Sequence, residues 1–208
     1  RIYNGPDAVP FRLFGALFGH LKTWADQALF AAKNLFSLEG DDPLVLDLNG
    51  DGIRNFKVGR ASFDGDGDLF AEKTGWISSD DGFLVYDRDG SGTIDDVSEL
   101  FGAPGVSGFT ELAGFDSNSD GVVDTGDALF GDLQVWRDLN TDGVTQDGEL
   151  FSLNSLNIAS FALTSEQLGL TTSNNNELRA RGEFTYDDGS TGDIYEIIFD
   201  TDRVSTVY

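Results

Sequence analysis

The chain has 208 residues and carries 37 acidic against 13 basic side chains, a formal net charge of −24. Such acidity excludes nucleic acid and anionic membrane surfaces, which are recognised through basic patches. The absence of Cys and a lone His20 exclude disulfides, thiolate sites and His-based zinc or triad chemistry. A 39% hydrophobic share with 17 Phe still provides for a packed core, and divalent cations are the natural counter-ion for the charge around it.

The charge is unevenly placed. Residues 1–40 are nearly neutral, with Arg1, Arg12, Lys22 and Lys33 set against Asp7, Asp26 and Glu39, and almost all the acidity follows. This places a boundary near residue 40 and divides the chain into an upstream segment, 1–42, and an acidic module, 43–208. The absence of Met, at position 1 and elsewhere, predicts an internal fragment of a longer protein.

Residues 11–36 read as one amphipathic helix. Phe14, Phe18, Leu21, Ala25, Ala28, Ala32 and Leu35 recur at spacings of four and three, with Leu17 and Trp24 widening the stripe. Its expected role is to dock on the acidic module or on sequence upstream, and its thin basic face argues against a membrane role.

From Pro43 onward, short apolar runs alternate with Asp/Asn/Gly loops. Leu44–Leu46 and 83–85 read as strands, and 107–115 and 127–137 as short helices flanking one loop. Residues 177–186 and 193–199 read as strands of a C-terminal β-hairpin through Asp187, Asp188, Gly189 and Ser190. The expectation is an α+β fold, a small mixed domain of strands and helices around several EF-hand-like loops.

Calcium takes six to eight hard oxygens, which a twelve-residue loop offers at positions 1, 3, 5, 7, 9 and 12, with Gly at 6 for the sharp turn. One segment meets the full pattern with Asp138, Asn140, Asp142, the Val144 carbonyl and Glu149. Another runs through Asp116, Asn118, Asp120, the Val122 carbonyl and Asp124, ending on the shorter Asp127. The stretch 127–137 would then be a helix shared by the two loops. A third offers Asp87, Asp89, Ser91, Thr93 and Asp95, with its acid one place late at Glu99. Two half-sites complete the set. Asp47, Asn49, Asp51 and Ile53 lack an acid at position 12, which is Val58; Asp64, Asp66 and Asp68 lack the glycine, having Leu69. Each needs an outside carboxylate, and the economical expectation is that the two lend ligands to each other or share an ion. This tally gives three to five Ca²⁺ ions. Sites of the extracellular class, at about 10⁻⁴–10⁻³ M, stay empty in the cytosol and fill outside the cell.

Among the four prolines only Pro43 follows an acid, Asp42. An aspartate carboxylate can attack its own peptide carbonyl, closing a five-membered anhydride and expelling the proline nitrogen, a tertiary amide easier to twist out of resonance. At neutral pH the step needs a proton for that nitrogen and stabilisation of an oxyanion. On chemistry alone, most Asp-Pro pairs are inert turns.

The ordered motifs DPLVLDLNGDGI, FDGDGD, TGWIS, DDGFLVYDRDGSGTID, SELFG, GFTELAGFDSNSDGVVD and LQVWRDLNTDGVTQDGELFSL closely resemble the self-processing module of FrpC-like RTX proteins. The likeness runs from Asp42 to about residue 165, with a weaker echo in FTYDDGSTGDIYEIIF; residues 1–41 lie outside it. The resemblance implies calcium-triggered cleavage of Asp42–Pro43, with Asp42 as nucleophile and acyl donor, Pro43 as leaving group and the loop acids as calcium ligands. It further implies that water hydrolyses the anhydride or that a lysine captures it as an isopeptide. The acceptor would be another protein or this chain, where Lys22, Lys33, Lys57 and Lys73 are candidates. The module would act once on its own chain, within a parent RTX protein of a Gram-negative bacterium exported by type I secretion to the medium or cell surface. Two departures stand out: Leu69 in place of the usual glycine, and Asp41 adding a like charge beside Asp42. The competing expectation is a non-catalytic, calcium-stabilised spacer of a secreted toxin or adhesin.

Overall fold

A computed structural model describes residues 42–65, 67, 69–102 and 105–201. The amphipathic helix expected over 11–36, together with Asp41, Lys22, Lys33, Asp66 and Asp68, lies outside the described residues.

The α+β expectation does not hold. The described chain is mostly β, a curled antiparallel sheet with one α-helix, α1 (Gly108–Leu112), and four single 3₁₀ turns. The strands are β1 (Leu44–Leu46), β2 (Asn55–Phe63), β3 (Glu72–Ile77), β4 (Gly82–Val85), β5 (Val122–Asp124), β6 (Gln134–Trp136), β7 (Leu150–Ser152), β8 (Ile158–Ala162), β9 (Glu166–Thr171), β10 (Glu177–Tyr186) and β11 (Thr191–Ile198). The main sheet runs β5-β8-β10-β11-β1-β4-β6-β7, with β9 also on β10, while β2 and β3 pair separately.

The helix expected over 127–137 fails for a local reason. Only Phe130–Asp132 makes a 3₁₀ turn, and Gln134–Trp136 is a strand between β4 and β7. Leu133 and Val135 enter one core and Trp136 the other, a two-sided burial that a strand achieves and a helix face does not. Gly126 and Gly131 further weaken a helix there. A helix does enter the Asp116 loop, where α1 continues into the 3₁₀ turn Ala113–Phe115, as expected for 107–115, but no α-helix leaves it or flanks the Asp138 loop among the described residues, so neither loop is an EF-hand in the helix–loop–helix sense.

The sheet is covered on both faces, which explains why its central strands are continuous apolar runs. Leu44, Leu46 and Leu84 face a core with Phe101, Phe109, Phe161 and Phe184. Val45, Phe83 and Val85 face the opposite core, where Trp76 lies 4.9 Å from Phe83 and 5.6 Å from Trp136 between ring centres. β1 is the hub: it is fully buried and pairs antiparallel with both β11 and β4. β10 and β11 form the C-terminal hairpin, closed by a Tyr186 N–H to Ser190 carbonyl bond of 2.8 Å.

Candidate functional site

Asp42 and Pro43 stand at the head of β1, both buried. The Asp42 N–H donates to the Gly102 carbonyl at 3.0 Å, and the Leu44 N–H to Phe101 at 3.2 Å. On the other side the Ile197 N–H donates to the Pro43 carbonyl at 3.1 Å. The Asp42–Pro43 peptide is thus pinned on both flanks by backbone.

Two glycines give it room. A Cβ on Gly102 would stand 2.1 Å from the Asp42 carbonyl oxygen, and one on Gly108 would stand 3.0 Å from the same oxygen. Gly102 also has φ +110°, where side chains are strained, so this approach is open to glycine alone.

Charged groups converge on the same point. The guanidinium of Arg179 pairs with the Asp42 carboxylate. Arg179 occupies a β-bulge: Leu178 faces Ile197 and Ala180 faces Glu196, leaving Arg179 as the extra residue, turned out of the ladder. Glu196, opposite Leu44 in the register and only 1% exposed, accepts the Gly108 N–H at 2.7 Å. Its Oε2 is buried with no hydrogen-bond partner among the described residues. Glu111 on α1 accepts the Gly102 N–H at 2.9 Å and also binds the Arg88 guanidinium. Neither Arg179 nor Glu196 carries a motif in the sequence; only the strand pairing of β1 with β11 and the bulge in β10 bring them to Asp42.

The five acidic loops share one backbone design. In each, the first Asp accepts N–H bonds from positions 4 and 6: Asp47 from Gly50 and Gly52, Asp64 from Gly67 and Leu69, Asp87 from Gly90 and Gly92, Asp116 from Ser119 and Gly121, Asp138 from Thr141 and Gly143. All ten donors have positive φ, including Leu69 at 75°. The Asp64 loop therefore keeps the turn despite lacking glycine, at the strain an exposed leucine suffers there.

The closing acids also share a position. Glu149 accepts the N–H of Leu139 and Gln146, Asp127 those of Ser117 and Asp124, and Glu99 those of Arg88 and Asp95. The extra residue before Glu99 is absorbed, and the Asp87, Asp89 and Glu99 carboxylates come within 4.8 Å of one another. Burial first, then the charges of Asp89 and Asp87, push Glu99 above the usual carboxylate range, while the Asp124 N–H chiefly holds Asp127 below it. Asn118 and Asn140 donate to Asp120 and Asp142, and Thr93 donates to Asp95. The carbonyls of Ile53, Thr93, Val122 and Val144 fall at position 7 of their loops.

Beside the Asp47 loop stands Asp81, from the turn before β4. It is 1% exposed, its Oδ2 accepts the Arg54 N–H at 3.3 Å, and its buried Oδ1 has no hydrogen-bond partner among the described residues. Burial, with Asp47, Asp80 and Asp51 nearby, pushes it up to about 7. The carboxylate the structure sets beside this loop is thus Asp81, outside both half-site segments. The Asp64 loop instead meets Asp96, through a backbone bridge and the Val97 N–H to Asp64 carbonyl bond of 3.0 Å. The pairing of the Asp116 and Asp138 loops through a shared helix is likewise replaced. Thr145 of the Asp138 loop exchanges hydrogen bonds with the backbone of Ile94, in the Asp87 loop.

Three features fit Ca²⁺: the clustered Asp87, Asp89 and Glu99 carboxylates, loop backbone held in place by the first Asp, and a buried orphan oxygen on Asp81 that a cation would satisfy.

Residues 44–200 match the SPM domain family. The chain is also similar to the iron-regulated protein FrpA of Neisseria meningitidis serogroup C, a Gram-negative bacterium. The two are 39% identical over 174 residues, which cover 78% of this chain and 16% of FrpA.

Proposed function

This chain belongs to the SPM domain family, and from that premise we propose that it cuts its own Asp42–Pro43 bond once its loops bind Ca²⁺. The observation that carries this reading is the Asp42–Pro43 junction itself, which is buried, clamped by Gly102 and Ile197, and approached by the Arg179 guanidinium. An inert surface turn would have none of these features.

The Asp42 carboxylate, oriented by Arg179, attacks its own carbonyl carbon. A C–O bond forms, closing a five-membered anhydride, and the C–N bond to Pro43 breaks as the nitrogen takes up a proton. Holding the nucleophile and carbonyl in one buried residue removes the entropy of encounter. The anhydride is then opened by water, or by a lysine ε-amine to leave an isopeptide. Lys57 and Lys73, exposed on β2 and β3, are internal candidates beside acceptors on other proteins. Bound to the loops of Asp47, Asp64, Asp87, Asp116 and Asp138, three to five Ca²⁺ ions would neutralise charge and supply folding free energy. The module would serve a secreted RTX-type parent, where external calcium marks arrival outside the cell.

The test is incubation of the calcium-free chain with about 1 mM Ca²⁺, followed by mass spectrometry. Fragments 1–42 and 43–208 are expected, with crosslinked species beside them, and none from Asp42→Ala. Compaction without a cut would sink this reading and leave a calcium-stabilised spacer.

A further inference from the structure

We propose that Glu196 donates the proton that the Pro43 nitrogen takes up as the Asp42–Pro43 bond breaks. The proposal rests on the cleavage reading and names the acid which that reading lacks.

A proline nitrogen leaving as an anion is prohibitively basic, so the site must hold a proton source. Among the described residues, three carboxyl groups stand around the junction besides the loops. Asp42 is the nucleophile. Glu111 has both oxygens engaged, by the Gly102 N–H and the Arg88 guanidinium. Glu196 remains. It lies across the β1–β11 ladder from Leu44, the residue following Pro43, and its neighbour Ile197 holds the Pro43 carbonyl. Its Oε1 is fixed by Gly108, the same glycine whose Cβ would stand 3.0 Å from the Asp42 carbonyl oxygen. One glycine therefore touches both the acid and the scissile carbonyl.

The second oxygen supplies the independent observation. Glu196 is 1% exposed, Oε2 has no hydrogen-bond partner, and no cation pairs with it among the described residues. Gly108 N–H serves Oε1 alone, and a buried oxygen left without any hydrogen bond is costly, whereas an O–H placed on Oε2 needs only an acceptor. The amide nitrogen becomes that acceptor as it loses conjugation. The step balances: the Asp42 carboxylate and the Glu196 acid give the anhydride, a neutral proline amine and the Glu196 carboxylate.

Two variants separate chemistry from packing. Glu196→Gln keeps the size and the acceptor for Gly108 N–H but has no acidic proton; Glu196→Asp keeps the proton on a shorter arm. Single-turnover cleavage in Ca²⁺ is measured for both, with the tryptophan fluorescence of the Trp76 and Trp136 core as the check on calcium-dependent folding. We expect Glu196→Gln to slow the cut by about a hundredfold or more, with Glu196→Asp between it and the parent. A structural role predicts the opposite order, because Gln is the closer fit. Cleavage by Glu196→Gln within about threefold of the parent, or Glu196→Asp slower than Glu196→Gln, overturns the proposal. A parent chain that folds in Ca²⁺ without cutting removes the cleavage reading, and this assignment with it.

Discussion

Asp81 has the most heavily shifted titration among the loop carboxylates, and the cause is legible: burial beside Asp47, Asp80 and Asp51. Its folded value, about 7, is above the ordinary 3.8. Without calcium, the folded state therefore binds this proton more tightly than the unfolded state. Below pH 3.8 both states are protonated and the group contributes nothing. Between 3.8 and 7 stability falls as pH rises, and above 7 the full penalty, of the order of a few kcal/mol, applies. The calcium-free chain should thus regain more folded structure at pH 5 than at pH 8, as read by tryptophan fluorescence. Asp81→Asn should flatten that dependence while raising the calcium concentration needed to fold. Equal pH slopes for the two chains would remove Asp81 from the first loop's ligand set.

At the scale of elements, the Asp87 loop is tied to the scissile bond by a short series of contacts. Arg88 follows the loop's first acid, Asp87, and binds Glu111; Glu111 holds the Gly102 N–H; the Gly102 carbonyl holds the Asp42 N–H. Deforming that loop reaches Asp42 in three bonds. Glu111→Ala should slow cleavage by about tenfold, since the Gly102 amide loses its partner. Arg88→Ala should add little in the double variant, because the two act in series. Additive losses would mean the series is not how the loop acts. The same scale explains what the sequence could and could not reveal. The loop turns are local, so the turn and closing acid from Asp138 through Glu149 could be read from spacing, and β10 from its own run of residues. The helix over 127–137 misled because its apolar residues split between two cores that only the sheet defines. Arg179, Glu196 and Asp81 reach their sites through partners distant in sequence, 27 residues away in the nearest case, which no local pattern encodes.

For the whole molecule the governing quantity is charge. A net −24 on one chain opposes compaction, and the acids concentrate in loops at the ends of strands. Millimolar Ca²⁺ should contract the acidic module, from about 40 Å towards about 15 Å in radius of gyration for a domain of this length. NaCl at matched ionic strength should not, because screening sets no cation on the buried, unpartnered Oδ1 of Asp81. Small-angle scattering with and without a chelator reads the difference, and equal contraction in NaCl would mean simple screening suffices.

Under the proposed cleavage, the clamp on both sides of Asp42–Pro43 would also govern the fate of the two ends. Breaking one covalent bond leaves every hydrogen bond to Gly102, Phe101 and Ile197 in place. The new amine would be the head of the sheet's central strand and would be held beside the anhydride it had just left. Recombination would then compete with water and lysine. Net yield would be set by how soon the upstream chain peels away from Gly102 and Arg179, and a pull on that chain would make the scission irreversible.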